Sequence, residues 1–392
     1  MRVLMVHSFH HRRGGDTTYT AQLSRLLEAA GHEVIPFAMR HPSNDPSVWE
    51  TWFAPRVDPE DPARALPRFA WNREAGRAVA DLIAHARPSM VHVQHLHHHL
   101  SPSVLVAAKR AGVPVVWTVH DYELICPQGH LFDGTAVCEA CRGHRYHQAI
   151  RRRCKRGSLP HSIAAAAEQT VHAARGVWNL VDRFLAPSRF LADRLIDFGV
   201  PADRVRWQPN CVVPPSAQGE RSTAPSWLFA GRLCREKGVD TLIEAAHAVD
   251  APLTVCGTGP LEAEVRSRLP ASARVLGHLE AESVAAELQR AHVVAVPSIW
   301  YENFPYAVLE AQAASRAVVA SAIGGIPEQI CHGTDGWLVA PGDPGSLAEA
   351  IVALLADADR AEALGQAGRD RVRTLDPTRH LQAILAHYES VR

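Results

Sequence analysis

The chain has 392 residues, 47% of them hydrophobic and 21% charged, with a formal net charge of +0. That length exceeds one ordinary hydrophobic core, so two domains are expected, and the balance excludes a disordered or low-complexity polymer. No charge excess points the chain as a whole at nucleic acid or membrane, and eight cysteines in so long a chain do not argue a disulfide framework.

The start reads as an apolar strand (residues 3–7) rather than a signal peptide, no stretch is long enough to span a bilayer, and a cytoplasmic bacterial protein is expected. After this strand come Gly14 and Gly15, then a helix with Leu23, Leu26 and Leu27 on one side, then a strand at 33–37. Strand, Gly-Gly loop, helix and strand make a βαβ unit, and the glycines would let a ligand approach the backbone closely. Residues 41–70 read as a long loop, 73–86 as a helix and 90–94 as a strand leading into His95, His97, His98 and His99. A helix at 101–111 and a strand at 113–119 follow, with His120 and Asp121 at the strand's end. Residues 122–162 break the alternation, which resumes with a helix at 162–179, a strand at 183–186, a helix at 190–198 and a strand at 205–209. The Pro-rich stretch 212–225 is the expected domain boundary.

The alternation then restarts: a strand at 227–230, Gly231, Arg232, Lys237 and Gly238, a helix at 239–249, a strand at 253–256, then Gly257 and Gly259. Strands at 274–276, 293–296, 317–321 and 336–339 and helices at 261–267, 283–291 and 344–356 follow, with a last helix carrying Leu381, Ile384, Leu385 and Tyr388 on one face. Both halves are therefore expected to be doubly wound α/β sheets, with polar residues at strand ends, where such sheets bind ligands. Two such domains suggest a cleft between them that shields a small molecule from water.

The most informative stretch runs from Ser298 to Glu310. Glu302 lies in the loop after an apolar strand, and Glu310 lies eight residues on, about one turn into a helix that begins at Pro305. A helix start offers free N–H groups and a partial positive charge, which suit a phosphate. Carboxylates on either side can accept hydrogen bonds from sugar hydroxyls, so the pattern fits a nucleotide sugar. The bland alternative is a capped helix with two solvated acids.

Taken in order and spacing, Gly14-Gly15, His120-Asp121, Gly231-Arg232 with Lys237-Gly238, Gly257 and Gly259-Pro260, Glu302 with Glu310, and the run Gly324 to Glu328 resemble the retaining glycosyltransferases of family four. The resemblance covers nearly the whole chain. It implies the GT-B fold, two facing Rossmann-like domains with an inter-domain cleft. Residues 1–213 would form an acceptor-side domain with a cysteine-containing insertion at 122–160. Residues 214–375 would bind the nucleotide sugar, and a helix at 376–392 would pack back on the first domain.

The resemblance also implies roles. Arg232 and Lys237 would hold the donor's diphosphate, each lowering the barrier by roughly 2–4 kcal/mol as charge develops on the leaving group; otherwise they belong to a solvated turn. Glu302 would accept from a hydroxyl of the transferred sugar, beside the backbone at Asn303 and Phe304, and Glu310 would bind the ribose. Gly14, Gly15, Gly231, Gly257 and Gly259 would border the donor, and Gly277, His278 and Leu279 would lie along the base. His120 would reach the donor sugar or reacting centre; otherwise it caps its own strand. The implied reaction moves a sugar from a nucleotide-diphosphate sugar to a hydroxyl of a glycan, lipid-linked glycan or small molecule, with retention. The departing phosphate oxygen would take the acceptor's proton, so no protein base and no catalytic metal are assigned.

Cys126, Cys138, Cys141 and Cys154, separated by eleven, two and twelve residues, have the look of a four-thiolate structural zinc site, with free thiols, an iron–sulfur cluster and a disulfide as alternatives. Cys211, Cys234, Cys256 and Cys331 read as ordinary core or loop residues. Arg142, Arg145, Arg151, Arg152, Arg153, Lys155 and Arg156 have no acid among them. They form a solvated loop, a site for a phosphate-bearing acceptor or, because family members often act on lipid-linked acceptors, a peripheral contact with an anionic membrane. His95 to His99 are expected to alternate between two faces of an extended segment, which argues against a metal and for lining the acceptor side with His7, His10 and His11. Asp357 and Asp359 read as helix-end acids. Other readings are a different GT-B enzyme, such as a nucleotide-sugar epimerase or a phosphorylase, and a zinc module that binds nucleic acid through its basic run. The Arg232, Lys237, Glu302 and Glu310 set favours transfer, and no nucleic acid is expected.

Overall fold

The structure is a computed structural model that describes residues 1–57, 68, 70–213 and 222–392. Residues 58–67 of the expected 41–70 loop and residues 214–221 of the expected boundary lie outside the described residues. The chain divides into two compact units: residues 1–133, 138–209 and 380–392, and residues 134–137 and 210–379.

The first unit is built on a six-stranded sheet in the order β2-β1-β3-β4-β5-β6. Its strands are β1 (Arg2–His7), β2 (Glu33–Phe37), β3 (Met90–His95), β4 (Val115–Thr118), β5 (Arg183–Ala186) and β6 (Val205–Trp207), all paired in parallel. β1 and β4 are almost wholly apolar because helices cover both faces, and burying each Val or Leu contributes roughly 1.5–3 kcal/mol. β1 connects outward to β2, and the chain then returns to β3 on its other side. The strand order therefore reverses between β1 and β3.

From His380 onward, the last helix, Pro377–Glu389, belongs to this unit. Ile384 and Tyr388 are fully buried, the Tyr388 hydroxyl lies 2.6 Å from His92 Nδ1, and His380 Nε2 lies 3.0 Å from the Tyr19 hydroxyl. His92 completes its pairing through Thr118 Oγ1 at 2.8 Å, and burial holds its imidazole down at about 3, hence neutral.

The second unit repeats the architecture in the order β12-β11-β10-β7-β8-β9. These are β7 (Trp227–Ala230), β8 (Leu253–Cys256), β9 (Arg274–Gly277), β10 (Val293–Val296), β11 (Ala317–Ser321) and β12 (Trp337–Val339). Alternate residues feed opposite cores: Trp227, Phe229, Val293 and Ala295 on one side, Leu228, Val294 and Val296 on the other. The order reverses between β7 and β10, the arrangement of doubly wound nucleotide-binding sheets.

Two helices differ from the sequence expectation. The expected helix at 162–179 runs Leu159–Ala174, because Pro160 suits a first turn, and it ends before Gly176 at φ 57°. A helix at Ala358–Val372, which the sequence did not mark, buries Ala361, Leu364, Gly365, Gly368 and Val372. Its stripe has helical spacing but is made of small residues: a Cβ on Gly365 would stand 2.3 Å from the Ser315 carbonyl oxygen. Asp357 caps this helix through the Arg360 amide at 3.0 Å, a structural role.

Candidate active site

In the second unit the two loops at the reversal point meet. Lys237 follows β7 and Glu302 follows β10, and Lys237 Nζ lies 2.7 Å from Glu302 Oε1. Ser298 Oγ donates to the same oxygen at 2.6 Å, and Lys237 Nζ stands 5.4 Å from the centre of the Trp300 ring. The Glu302 side chain is 5% exposed and that of Lys237 27%, so the carboxylate is fixed while the ammonium keeps an open side.

Glycines let these loops close on one another. Gly238, at φ 71°, heads the helix Val239–Ala248, and a Cβ there would stand 1.9 Å from the Pro297 carbonyl oxygen. The Ile299 amide donates to the Glu236 carbonyl at 3.0 Å, completing the seam. Gly324, at φ 60°, presses on the Glu302 backbone, and the Gly325 amide donates to the Glu302 carbonyl at 2.7 Å. A Cβ on Gly257 would meet the Gly231 carbonyl at 1.9 Å, and one on Gly259 the Leu233 carbonyl at 2.3 Å. The structure thus brings Gly231, Lys237, Gly257, Gly259 and Glu302 to one edge of the sheet.

Glu310 lies in the helix Tyr306–Ala313 that follows Glu302. Burial pushes its carboxyl up to about 7, and among the described residues it has no hydrogen-bond or ion-pair partner. Arg232 is exposed after β7 and likewise pairs with nothing described. Asn303 and Phe304 are buried, Phe304 in a cluster with Val212, Leu309, Ala313 and Val372, so only their backbone can serve a ligand. His278 and Leu279 follow β9, two strands from β7: Leu279 packs on the core, and the His278 side chain is 76% exposed, 3.7 Å from Glu280. Glu328 sits in the short helix Ile326–Gln329, its carbonyl accepting from Arg371 Nη2.

The first unit carries a second constellation where its strand order reverses. Gly14 precedes the helix Gly15–Ala29 in extended backbone, φ −174°, so this turn does not need a glycine's left-handed freedom. Thr17 Oγ1 instead accepts from the Arg13 and Gly14 amides at 2.9 and 3.0 Å. Asp16 in the first turn lies 3.1 Å from His7 Nε2; burial opposes the charge, but His7 holds the carboxyl well below its ordinary range. His120 Nε2 lies 2.8 Å from Gln94 Oε1, its ring edge-on to Tyr19 at 4.9 Å. Burial holds it down at about 3, so it is a neutral imidazole.

The expectation that His95 to His99 alternate between two faces is overturned. The chain turns after β3, with His98 at φ 66°, and gathers three imidazoles on one carboxylate. His98 Nε2 is 3.1 Å from Glu123 Oε1, while His95 Nε2 and His97 Nδ1 are 3.4 and 4.0 Å from Oε2. Burial opposes the imidazolium, but Glu123 draws His95 up to about 9. Burial, then Glu123's charge, pushes Asp121 up to about 7. His10 and His11 stand apart from this cluster, His10 against Phe53 and His11 stacked on His41.

Sequence reasoning missed Ser298, Asp16, Gln94 and Glu123. Asp16, directly after the glycines and in a helix's first turn, was the one with a local signal. The basic run also differs from its linear reading: Arg142 pairs with Asp197 at 3.0 Å and Arg152 with Asp133 at 3.4 Å, acids brought in by folding.

Residues 13–214 match the model for Glycosyltransferase Family 4, and residues 215–371 match that for Glycosyl transferases group 1. The chain is 28% identical to a glycogen synthase of Mycobacterium tuberculosis over 95% of its length and 90% of that protein's. It is 27% identical to D-inositol 3-phosphate glycosyltransferase 1 of Catenulispora acidiphila over 96% and 91%. In fold it is similar to a sucrose-phosphate synthase of Thermosynechococcus elongatus, with TM-score 0.72, 21% identity and 99% and 98% of the two chains covered. It is also similar to the HepE protein of Anabaena solved with UDP-glucose, with TM-score 0.71, 15% identity and both chains covered completely.

Proposed function

The chain belongs to glycosyltransferase family 4 and is a glycosyltransferase that draws on a nucleotide-sugar donor; on that premise we propose how its residues divide the work. The second unit binds the donor. Lys237 and Arg232 take the diphosphate, Glu302 accepts from a hydroxyl of the transferred sugar, and Glu310 accepts from the ribose. The one observation that carries this is the meeting of Lys237 with Glu302 at the reversal point of the second sheet, with Glu310, whose carboxylate has no partner among the described residues, in the helix that follows.

The chemistry follows from the charges. Breaking the anomeric C–O bond leaves a nucleoside diphosphate with an added negative charge, which a fixed cation stabilises more than it stabilises the intact donor. Lys237 is held in place by Glu302 rather than by the substrate, so little reorganisation is needed as charge develops. The glycines at 231, 257 and 259 keep side chains away from the pyrophosphate's path, and Gly277, His278 and Leu279 flank the base. The acceptor hydroxyl attacks the face the diphosphate leaves, and its proton passes to the departing phosphate oxygen, retaining anomeric configuration.

The first unit binds the acceptor. His120, neutral and hydrogen-bonded to Gln94, is suited to contact hydroxyls without carrying charge, and Gly14 and Gly15 leave the amide end of their helix open to an anion. Beside its basic insert Leu159 and Ile163 are 42% and 47% exposed next to the exposed Arg153 and Arg156, which supports a peripheral contact with an anionic membrane that presents a lipid-linked acceptor.

The test is incubation with a panel of nucleotide sugars, following nucleotide release with and without candidate acceptors and assigning the product's anomeric configuration by NMR. Release with one donor and a retained anomeric centre is expected. An inverted product, or a 2-epimerised sugar as the only product, would overturn the proposed chemistry.

A further inference from the structure

The insert between β4 and β5 holds four thiols that glycosyl transfer does not use. Cys126, Cys138, Cys141 and Cys154 are all unbridged. They line one small cavity, whose other walls include Leu131, Phe132 and Ala149. We propose that Cys126, Cys138, Cys141 and Cys154 bind a single Zn²⁺ as a closed tetrathiolate site that holds this insert together.

Three observations beyond the spacing carry the assignment. The first is the environment of Cys126. Cys126 is buried, and the chain folds back over it: the Gly129 amide donates to the Cys126 carbonyl at 2.9 Å and the Cys138 amide to the Leu131 carbonyl at 2.7 Å. The chain is bent around it by Gly129 at φ 93° and Leu131 at φ 46°. This turn sets the Cys126 thiol at the wall of the cavity that the other three thiols share.

The second is charge. Arg152 Nη1 lies 3.6 Å from Cys138 Sγ, at the edge of the group. Four thiols binding Zn²⁺ release four protons and leave a net charge of minus two, which an adjacent guanidinium partly offsets. The third is the composition of the insert. Between Asp133 and Ser158 only Cys141, Tyr146 and Ala149 are buried, so a metal would supply cohesion that apolar packing does not.

Another set of potential ligands, His95, Asp121 and Glu123, lies within 4.8 Å of one another. There Glu123 and Asp121 draw His95 towards its charged form, so the carboxylates already have a counter-charge from the protein. The four thiols line one cavity without three of their sulfurs lying within 4.8 Å of one another, so binding would draw them inward by side-chain rotation to the zinc–sulfur distance of about 2.3 Å. A closed, redox-inert ion suits an insert that shares a loop with the cluster just described: Cys126 lies three residues after Glu123, and Lys155 Nζ donates to the Gln128 carbonyl at 3.4 Å.

The experiment is elemental analysis of the full chain, purified under reductant without chelator. One zinc per chain is expected. It should be lost in Cys138→Ser and kept in Cys331→Ser, whose thiol is exposed and outside the insert. Should Cys138→Ser fail to fold, titrating the wild-type chain with a mercurial decides, because zinc must leave in step with four of the eight thiols. Exchange with Co²⁺ should give the thiolate-to-metal absorption of tetrahedral cobalt. Folded protein that holds less than a tenth of a zinc per chain and takes up neither ion overturns the site, as does iron with acid-labile sulfide or a disulfide among the four. Donor turnover rests on residues of the second unit, so a negative result here leaves that reading standing.

Discussion

Lys237 Nζ stands 2.7 Å from Glu302 Oε1, so a side chain from the loop after β7 is locked to one from the loop after β10. Each therefore positions the other. Lys237→Ala and Glu302→Ala should each lower kcat/KM by about 10²–10³, the size of effect seen when a preorganised transition-state donor is removed. The double variant should be little worse than the worse single one, because the two act as a unit. Steady-state kinetics on variants that keep the wild-type circular dichroism checks this; unchanged rates would remove both assignments.

Glu310 should make nucleotide binding depend on pH. Burial raises its carboxyl from an ordinary 4.5 to about 7, so in the free protein the cost of ionising it there grows as pH rises from 4.5 towards 7. Ribose hydroxyls donate, so they favour the ionised form. Nucleoside diphosphate affinity should rise from pH 6 to pH 8, with proton release on binding near pH 6.5. Calorimetry in buffers of differing ionisation enthalpy reads both quantities, and Glu310→Gln should bind more weakly and lose the glutamate-linked proton release.

Gly238→Ala should disable the site without touching a charged group. The added Cβ would meet the Pro297 carbonyl oxygen at 1.9 Å in a backbone at φ 71°, where an alanine is itself strained. Backbone cannot yield cheaply, so a loss of about 1–3 kcal/mol of stability is expected, with displacement of Lys237. Gly112→Ala, also at positive φ but with open space around its Cβ, should cost less, about 1 kcal/mol. Urea unfolding of the two variants separates the clash from the conformational strain.

The closing helix should be held by one buried pair. The Tyr388 hydroxyl lies 2.6 Å from His92 Nδ1, both side chains being inaccessible to water. Tyr388→Phe keeps the ring but leaves that nitrogen unpaired, at a cost of about 1–3 kcal/mol. A lower urea midpoint with an unchanged slope would show the loss; an unchanged midpoint would mean that the pair contributes nothing net.

The sequence by itself determined the alternation of strands and helices, because apolar runs of four to six residues bounded by glycine, proline and polar residues can be little else. It also determined that Gly231 and Gly257 end strands, since each directly follows such a run, and that Lys237, Glu302 and Glu310 lie in the loops and the helix start that come after them. It did not determine the helix Ala358–Val372, whose buried stripe is small because it packs on backbone. Only the tertiary structure decided the partners. Glu302 meets Lys237 across 65 residues, His98 meets Glu123 across 25, and Tyr388 meets His92 across 296. Local pattern reports which face of an element is apolar. Which charges meet depends on sheet order and on turns such as that at His98, and these follow from how the whole chain buries its apolar surface.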